Sequence, residues 1–439
     1  MGYKITVIGA GSSYTPELFA SLAEYPGWLG VEEVVLHDRT ENKLGLIRRV
    51  SEKLVDSAGG GLRIDTTTDL KEALRGTDFI FMQIRVGGLA ARVRDETLPM
   101  KLGMVGNETT GPGGFACGLR TITAAMEIAR QIEQYAPQAW VMNLSNPAGM
   151  VTEAILNHTR VKAVGFCNIP VNTTYAIGRM LGIDPQRIQL DSFGLNHLSW
   201  TRAAYVDGKD ILAPVWDHNG NSESLLYQNG LVEDLIQPEW LETIRMIPGW
   251  YLRYFYDPDR VLSQDIAKSQ TRGTDDMQAE ALLKEIFETQ GYTSEAQHIL
   301  SKKGGAQYYL PVLQVVDSMI HDRGDVIVVD TTNGSALPDL PSEACVEVPA
   351  RIYRERVEPL PVGPMPLTVR SLVQAVKTYE QLAIQAALTG SRNTALAALM
   401  AHPLVGSLSK AQPFLQKMLA NEQDYLPQFT PTGDVQVAG

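Results

Sequence analysis

Cysteine is scarce in this chain, with three residues in 439, and these lie far apart at Cys117, Cys167 and Cys345. An odd and widely spaced set offers neither a disulfide framework nor the paired cysteines of a structural zinc site. Basic residues are a minority, because 38 Lys and Arg face 50 Asp and Glu, which gives a net charge of −12. This balance disfavours nucleic acid as a partner.

Long apolar runs are also missing. No stretch of the sequence approaches the roughly 18 residues that a membrane-spanning helix requires. The N-terminal residues lack the charged-then-apolar layout of a secretion signal. We therefore expect no membrane partner and a cytoplasmic location. With 44% hydrophobic residues, the chain is long enough for two or three domains with buried cores.

The first 170 residues alternate short apolar runs with amphipathic stretches. This pattern predicts successive βαβ units, and therefore an α/β fold with a Rossmann-like doubly wound parallel sheet. The predicted strands are short and rich in Val, Ile and Phe, at 4–8, 33–37, 78–84, 139–144 and 161–165. The predicted helices between them show three- and four-residue spacing of apolar side chains, at 15–25, 42–56, 121–135 and 149–158.

Beyond about residue 190 the alternation loosens. A strand is predicted at 200–206, and long helices at 277–288 and 369–389, followed by a helical finish and a frayed tail after Pro403. We therefore expect a Rossmann-like domain over 1–193 and a mixed, largely helical α+β domain over 194–439. No repeat or long linker separates them, so a cleft between the two is the expected place for a ligand.

A glycine-rich turn joins the first predicted strand to the first helix. Gly9 permits a tight turn, and Gly11 lets a pyrophosphate approach the backbone at the helix N-terminus. The second strand ends at Asp38, where a carboxylate can accept hydrogen bonds from the ribose hydroxyls and repel a 2′-phosphate. The arrangement predicts a dinucleotide site that prefers NAD to NADP.

Cys167 and His197 are candidate ligands of a divalent metal. Cys167 follows a predicted strand at its carboxyl edge, the side on which open α/β sheets bind ligands, and His197 follows an asparagine. By spacing alone, a small buried core residue and a satisfied core histidine remain the more common interpretations. If a metal binds, two protein ligands leave positions for substrate oxygens and water, as in a catalytic site.

Two further segments carry chemistry-bearing residues. Arg92 and Arg94 precede a glycine-rich stretch at 106–114, which we interpret as either a loop over bound ligand or a surface run with an ordinary turn. The segment 250–256 holds aromatic side chains that suit either a core or, at Tyr251, a base. A tyrosine base would need a cation close by, because phenols have a pKa near 10.

Taken together, these motifs resemble glycoside hydrolase family 4, and within it the 6-phospho-β-glucosidases. The resemblance runs nearly from end to end. It rests on segments at 9–16 (GAGSSYTP), 106–111 (GNETTG), 143–149 (NLSNPAG), 167–170 (CNIP), 194–199 (GLNHLS), 251–254 (YLRY) and 401–404 (AHPL). The combination is far more specific than any one segment.

The resemblance implies hydrolysis of a phosphorylated disaccharide or aryl glycoside by elimination and addition. Hydride passes from C3 of the sugar to NAD, the C2 proton is removed, the aglycone leaves, water adds and the hydride returns. Family 4 is an NAD-dependent exception to the two-carboxylate scheme of other glycosidases. The implied cofactors are NAD and a divalent metal, for which the family resemblance implies Mn²⁺.

The resemblance also implies a role for individual residues. Tyr251 would be the C2 base, Glu108 would increase its basicity, and Asn168 would stand where other members carry an acid. The remaining roles are metal binding by Cys167 and His197, cofactor binding by Gly9, Gly11, Ser12, Ser13, Asp38 and Asn143, and substrate binding by Arg92, Asn146, Asn168 and Arg272.

The sequence departs from the family pattern after Arg272, where Gly-Thr-Asp-Asp-Met replaces the usual alanine and helical continuation. This departure leaves a related member acting on a uronic acid or another anionic glycoside as an alternative. A malate- or lactate-type NAD-dependent dehydrogenase and a non-enzymatic NAD sensor are the alternatives from other classes. Relatives form dimers or tetramers, so we also expect a homodimer or homotetramer, with residues 194–439 providing the substrate, metal and subunit contacts.

Overall fold

The structure, a computed structural model, describes residues 2–216, 222–303 and 309–429. Within these ranges the strands are β1 (Tyr3–Ile8), β2 (Val31–His37), β3 (Arg63–Thr67), β4 (Phe79–Met82), β5 (Trp140–Asn143), β6 (Lys162–Gly165), β7 (Gln189–Leu195), β8 (Leu198–Val206), β9 (Lys209–Asp210), β10 (Ile247–Pro248), β11 (Asp325–Thr332), β12 (Cys345–Ile352) and β13 (Val357–Pro359).

The helices in the same ranges are α1 (Thr15–Leu22), α2 (Glu41–Ser57), α3 (Leu70–Leu74), α4 (Gly88–Lys101), α5 (Gly111–Tyr135), α6 (Ala148–His158), α7 (Ile169–Leu181), α8 (Ala213–Trp216), α9 (Ser222–Gln228), α10 (Pro238–Ile244), α11 (Arg253–Tyr256), α12 (Pro258–Ala267), α13 (Arg272–Thr289), α14 (Ser294–Lys302), α15 (Tyr309–His321), α16 (Leu367–Thr389), α17 (Arg392–Ala401) and α18 (Leu408–Asn421). None of the described helices combines the length and apolarity needed to cross a bilayer.

The main sheet has nine strands in the order β13-β12-β11-β6-β5-β4-β1-β2-β3. Its six strands from β3 to β6 are parallel and follow the 3-2-1-4-5-6 order of a Rossmann fold. The strand order reverses between β1 and β4, and ligands of such sheets bind at the carboxyl ends around this point. The predicted fold class is therefore confirmed. A smaller sheet pairs β10, β8 and β7, with β9 on β8.

The second half of the chain also contributes to the main sheet. Strands β11, β12 and β13 come from the second half of the sequence, yet they extend the main sheet beyond β6 as antiparallel strands. The predicted boundary at 193/194 lies inside β7. Both halves of the chain therefore build one sheet, in which β11 and β12 cover the edge that β6 would otherwise expose.

Helix α5 begins ten residues earlier than predicted, so the glycine-rich stretch includes its first turn rather than ending in a ligand-covering loop. The reason is steric. A Cβ on Gly113 would lie 2.1 Å from the Asn107 carbonyl oxygen, and one on Gly114 would lie 2.5 Å from the Thr109 backbone. The glycines thus allow the helix to start directly against the preceding turn. Strand β3 was missed because only Ile64 of its five residues is fully buried.

The predicted C-terminal helices are confirmed, with α16 covering 367–389 and α18 ending at Asn421. Residues 430–439, where we expected a frayed tail, lie outside the described residues. Helices pack on both faces of the main sheet and form two large apolar cores. This packing fixes the carboxyl ends of β1, β4, β5 and β6 beside one another, where the predicted site residues converge.

Candidate active site

The turn after β1 has the geometry of a dinucleotide cradle. The N–H groups of Gly9 and Ala10 both donate to the His37 carbonyl at 3.0 Å, which binds the turn to the end of β2. Gly9 has a φ of +88°, and a Cβ there would lie 2.7 Å from the Gln83 carbonyl oxygen. Only glycine fits this position without strain.

Asp38 lies directly across the turn. Its carboxylate accepts a hydrogen bond from the Gly11 N–H at 3.1 Å, and a Cβ on Gly11 would lie 2.8 Å from the same oxygen. The glycine–carboxylate pairing expected of an NAD site is thus assembled. Ser12 accepts from the Tyr14 N–H at 3.3 Å, while Ser13 is buried and donates to Glu280 at 2.6 Å. The contact of Ser13 with Glu280 places α13 against the N-terminus of α1.

His197 and Tyr251 form the centre of the site. The turn between β7 and β8 holds His197 in a left-handed backbone conformation, with a φ of +64°. The imidazole and phenol rings are stacked, with centroids 3.9 Å apart and an interplanar angle of 14°. Cys167 follows β6 and accepts a hydrogen bond from the Ile169 N–H at 3.5 Å. It lies close enough to Tyr251 for a charged thiolate to raise the pKa of the phenol.

The chemistry of Cys167 and His197 fits a divalent transition metal. Burial lowers the pKa of His197 to about 4, so the imidazole is neutral near pH 7, as a metal ligand must be. Burial raises the pKa of the Cys167 thiol, and a bound cation would offset that cost by stabilising the thiolate. No closed cage of three or more Cys, His, Asp or Glu side chains occurs among the described residues.

Tyr251 has a pKa raised chiefly by burial, and then by the neighbouring Cys167, Tyr254 and Glu108. A raised pKa makes the phenolate a stronger base once formed, but it also keeps the phenol protonated at neutral pH. The side chain can therefore act as a base only when a cation lies close to it. This requirement matches the position of Tyr251 beside both candidate metal ligands.

Glu108 occupies the centre of a buried ionic cluster. Burial alone would raise its pKa, but the guanidinium groups of Arg85 and Arg92 lower it to about 2. Arg85 forms an ion pair with one carboxylate oxygen, and Arg92 lies 3.1 Å from the other. The charge of His197 is also coupled to that of Glu108. The carboxylate therefore stays ionised beside the stacked rings.

Arg92 is buried, and three carboxylates contact its guanidinium group. Its Nε donates to Glu96 at 2.9 Å, and its Nη1 lies 2.5 Å from Asp276 as well as near Glu108. Arg272 begins α13 and donates to the Lys302 carbonyl at 3.2 Å. The helical continuation that the sequence after Arg272 seemed to lack is present, because α13 extends to Thr289.

The three predicted asparagines differ in their surroundings. Asn143 is fully buried, and its amide joins Thr152, the Ala148 carbonyl and the Ser145 N–H at 2.9–3.2 Å. This side chain holds the turn after β5 and has no surface left for a cofactor. Asn146, in the same turn, and Asn168, before α7, are partly exposed at the site.

Four neighbours of the site were not singled out by sequence reasoning. Asn196 precedes His197 and donates to Asp330 at 3.0 Å and to Glu347 at 3.5 Å. These two carboxylates face each other across β11 and β12, which lie more than 130 residues away in sequence. Arg85 was also missed, although its place just after β4, at the strand-order reversal, could have identified it.

Comparison with known proteins decides between the alternatives. Residues 4–183 match the model of the family 4 glycosyl hydrolases, and residues 192–405 match the family's C-terminal domain. The chain belongs to glycoside hydrolase family 4. It is therefore a glycosidase, and the dehydrogenase and NAD-sensor alternatives are not favoured.

Individual family members are similar over their whole length. A Bacillus subtilis protein named "Probable 6-phospho-beta-glucosidase" is 37% identical over 98% of both chains. The 6-phospho-β-glucosidase BglT of Thermotoga maritima is 32% identical over 96% of this chain and 99% of its own. A structure of the T. maritima enzyme with NAD and glucose-6-phosphate superimposes with a TM-score of 0.88, at 30% identity, over 96% of this chain and 99% of that one.

Proposed function

We propose that this family 4 glycosidase hydrolyses β-glucosides phosphorylated at C6, with NAD and a divalent metal, Mn²⁺, as cofactors. The observation that carries the proposal is the stacking of Tyr251 on His197 beside Cys167 and Glu108, at the carboxyl edge of a Rossmann sheet. Structures of a 6-phospho-β-glucosidase with manganese, NAD and glucose-6-phosphate support the cofactors and the phosphate. Relatives named 6-phospho-β-glucosidases are 32–37% identical to this chain, against 25–27% for those named phospho-α-glucosidases or 6-phospho-α-glucosidases.

Cys167 and His197 would hold the metal, and the turn at Gly9 and Gly11 would hold the pyrophosphate of NAD, with Asp38 on the adenosine ribose. When bound, these groups accept and return a hydride at C3 and withdraw electron density from the oxygen on that carbon. A C3 carbonyl makes the proton on C2 acidic. The base that removes this proton must come from the chain itself.

Tyr251 is the proposed base, and the C2 proton would pass to its phenolic oxygen. Stacking on His197 fixes the plane of the phenol ring. The phenolic oxygen is therefore already in position, and no further side-chain entropy is lost when the proton is transferred. The negative charge of Glu108 raises the pKa of Tyr251 further, which strengthens the phenolate as a base. Glu108 therefore acts through Tyr251 and needs no contact with the sugar.

Asn168 occupies the position after the metal cysteine. An amide has no proton to give at neutral pH, so it can hold a sugar hydroxyl by hydrogen bonds but cannot serve as a general acid. We infer that no dedicated acid of this chain protonates the leaving group from that position. Arg92, Asn146 and Arg272 are the proposed contacts of the 6-phosphate.

The experiment that tests this function is a comparison of three substrates: p-nitrophenyl β-glucoside 6-phosphate, its unphosphorylated counterpart and the phosphorylated α-anomer. Each is assayed with NAD and Mn²⁺ added or omitted, while absorbance at the NADH wavelength is followed. We expect release only from the phosphorylated β-substrate, with both additives and without accumulation of NADH. Equal rates with the unphosphorylated substrate would contradict the proposal, and activity on none of the three would return attention to other anionic glycosides.

We also propose a homodimer or homotetramer in the cytoplasm. The three cysteines are buried and free, as a reducing compartment allows. Exposed apolar side chains at Ile266, Met277 and Leu282 on α12 and α13 offer a surface for a second copy. Light scattering coupled to size-exclusion chromatography tests this directly, and a mass near 48.2 kDa would contradict it.

A further inference from the structure

Arg92, the arginine proposed to bind the 6-phosphate, already contacts three carboxylates. Two of them have other strong partners: Glu96 accepts from the Gly273 N–H at 2.8 Å, and Glu108 forms an ion pair with Arg85. For Asp276, the described part of the chain offers one hydrogen-bond partner, the Arg92 guanidinium at 2.5 Å. Asp276 is therefore the carboxylate that can leave Arg92 at the lowest cost.

The ion pairs around Arg92 hold more carboxylates than arginines, which disfavours the binding of an anion. Counting only the groups joined by these ion pairs, two arginines, Arg85 and Arg92, face three carboxylates, at Glu96, Glu108 and Asp276, which leaves a net charge of −1. A phosphate dianion approaching Arg92 would meet this excess negative charge in a poorly solvated place. Without Asp276 the same cluster would be neutral.

The local sequence explains how Asp276 reaches Arg92. Helix α13 packs closely on α4 at Gly273, where a Cβ would lie 3.0 Å from Val93. One turn further along α13, Asp276 faces the same side and is only 5% exposed. The Gly-Thr-Asp-Asp segment that departs from the family pattern thus provides both the close approach and the competing carboxylate.

We propose that Asp276 competes with the substrate phosphate for Arg92 and thereby sets the affinity for phosphorylated sugars. This inference rests on the proposed function. In the free enzyme Asp276 holds the guanidinium, and on binding the phosphate takes its place. Burial raises the pKa of Asp276, so its ionised form is already costly where it lies. The nearby charges of Lys303 and Arg272 are available to it when it moves.

The test measures binding of glucose 6-phosphate and of glucose to the NAD-loaded enzyme by titration calorimetry. We expect Asp276→Asn to lower the Kd for glucose 6-phosphate about tenfold, because a neutral amide competes less well for a guanidinium than a carboxylate does. The Kd for glucose should not change. Asp275→Asn is the matched control, since it removes the same charge from the next residue of α13, which is exposed and pairs with Gln270.

Kinetics separate competition from a structural role. Asp276→Asn should lower KM for p-nitrophenyl β-glucoside 6-phosphate and leave kcat within about twofold, whereas a damaged site lowers kcat. Asp276→Glu, which restores the carboxylate, should restore the wild-type KM. Asp276→Ser serves as a second, smaller variant should the asparagine variant fold poorly.

Two outcomes overturn different statements. If Asp276→Asn and Asp276→Ser fold but bind glucose 6-phosphate no more tightly than the wild type, the competition is wrong. If the wild type binds glucose as tightly as glucose 6-phosphate, the phosphorylated substrate of the proposed function is wrong, and the inference falls with it. Tighter binding in the asparagine variant but not in the Asp275→Asn control supports the proposal.

Discussion

Helix α4 contributes to two buried ionic clusters, one toward α5 and one toward α13, and they differ in design. On the face toward α5, Asp95 and Arg120 form a two-pronged pair at 2.5 and 3.0 Å, with Glu422 at 3.5 Å. On the face toward α13, Arg92 and Glu96 contact Glu108 and Asp276. We call these the α5-side cluster and the α13-side cluster.

The α5-side cluster is closed, since the Arg120 and Asp95 side chains are 1% and 2% exposed. The α13-side cluster is open, because the side chain of Arg85 that completes it remains 38% exposed. Arg92 in it is shared by three carboxylates, and Glu108 connects it to Tyr251. The difference teaches that a closed, geometrically matched pair holds helices together, whereas an open cluster with shared partners can exchange one of them for a ligand.

The largest effect is expected in the α5-side cluster. Arg120→Met leaves Asp95 buried without its cation, while Glu422 keeps Arg94, so we expect a loss of about 3–5 kcal/mol in the free energy of unfolding. KM of the folded fraction should not change. Urea unfolding followed by circular dichroism measures the loss. Arg94→Met is the comparison, because Arg94 is 36% exposed and Glu422 would keep Arg120 at 3.5 Å, so we expect a smaller loss than for Arg120→Met.

Tyr251→Phe tests the catalytic end of the α13-side cluster. Loss of the phenolic oxygen removes the proposed base, and we expect kcat to fall about 10³-fold while the urea midpoint stays unchanged. Exchange of the C2 hydrogen with D₂O, followed by NMR, should stop as well. Tyr256→Phe is the control, since this hydroxyl contacts Trp200 at 2.8 Å. Retained exchange in Tyr251→Phe would assign the base elsewhere.

Glu108 predicts a specific dependence of stability on pH. Its pKa of about 2 in the folded protein lies below the usual value of 4.5, so its ion pairs contribute fully above about pH 4.5. That contribution, about 3 kcal/mol, is lost as the pH falls toward 2. In the Glu108→Gln variant, the urea midpoint should depend less on pH over this range. An unchanged slope would show that Glu108 is not held ionised by Arg85 and Arg92.

The smallest effect is expected for Arg92→Lys. A lysine keeps the charge but cannot contact Glu96 and Asp276 through separate nitrogens as the guanidinium does. We expect KM for the phosphorylated substrate to rise about tenfold, with kcat retained. Arg94→Lys on the α5-side face should leave KM unchanged. Equal effects of the two substitutions would remove the distinction between the clusters.

Much of the fold and part of the site follow from local sequence. The strands β1, β2, β4, β5 and β6 were predicted within three residues at each end, because each is a short apolar run flanked by turn residues. The glycine turn was predicted with its carboxylate partner. The start of α5 was predicted too late, because the glycines at Gly113 and Gly114 allow close packing that their composition does not indicate. The pairing of strands from the two halves of the chain was not predicted.

The sequence by itself determined the Rossmann-like fold class and the glycine turn with Asp38, because each is encoded by a local pattern. Its contiguous motifs also gave the family resemblance that implies the metal, base and phosphate candidates. The tertiary structure alone decided that His197 stacks on Tyr251, that Asn143 is enclosed by its own turn, and that Asp276 reaches Arg92. These contacts join residues on separate elements. Their geometry depends on how closely helices and strands pack, which no local pattern records.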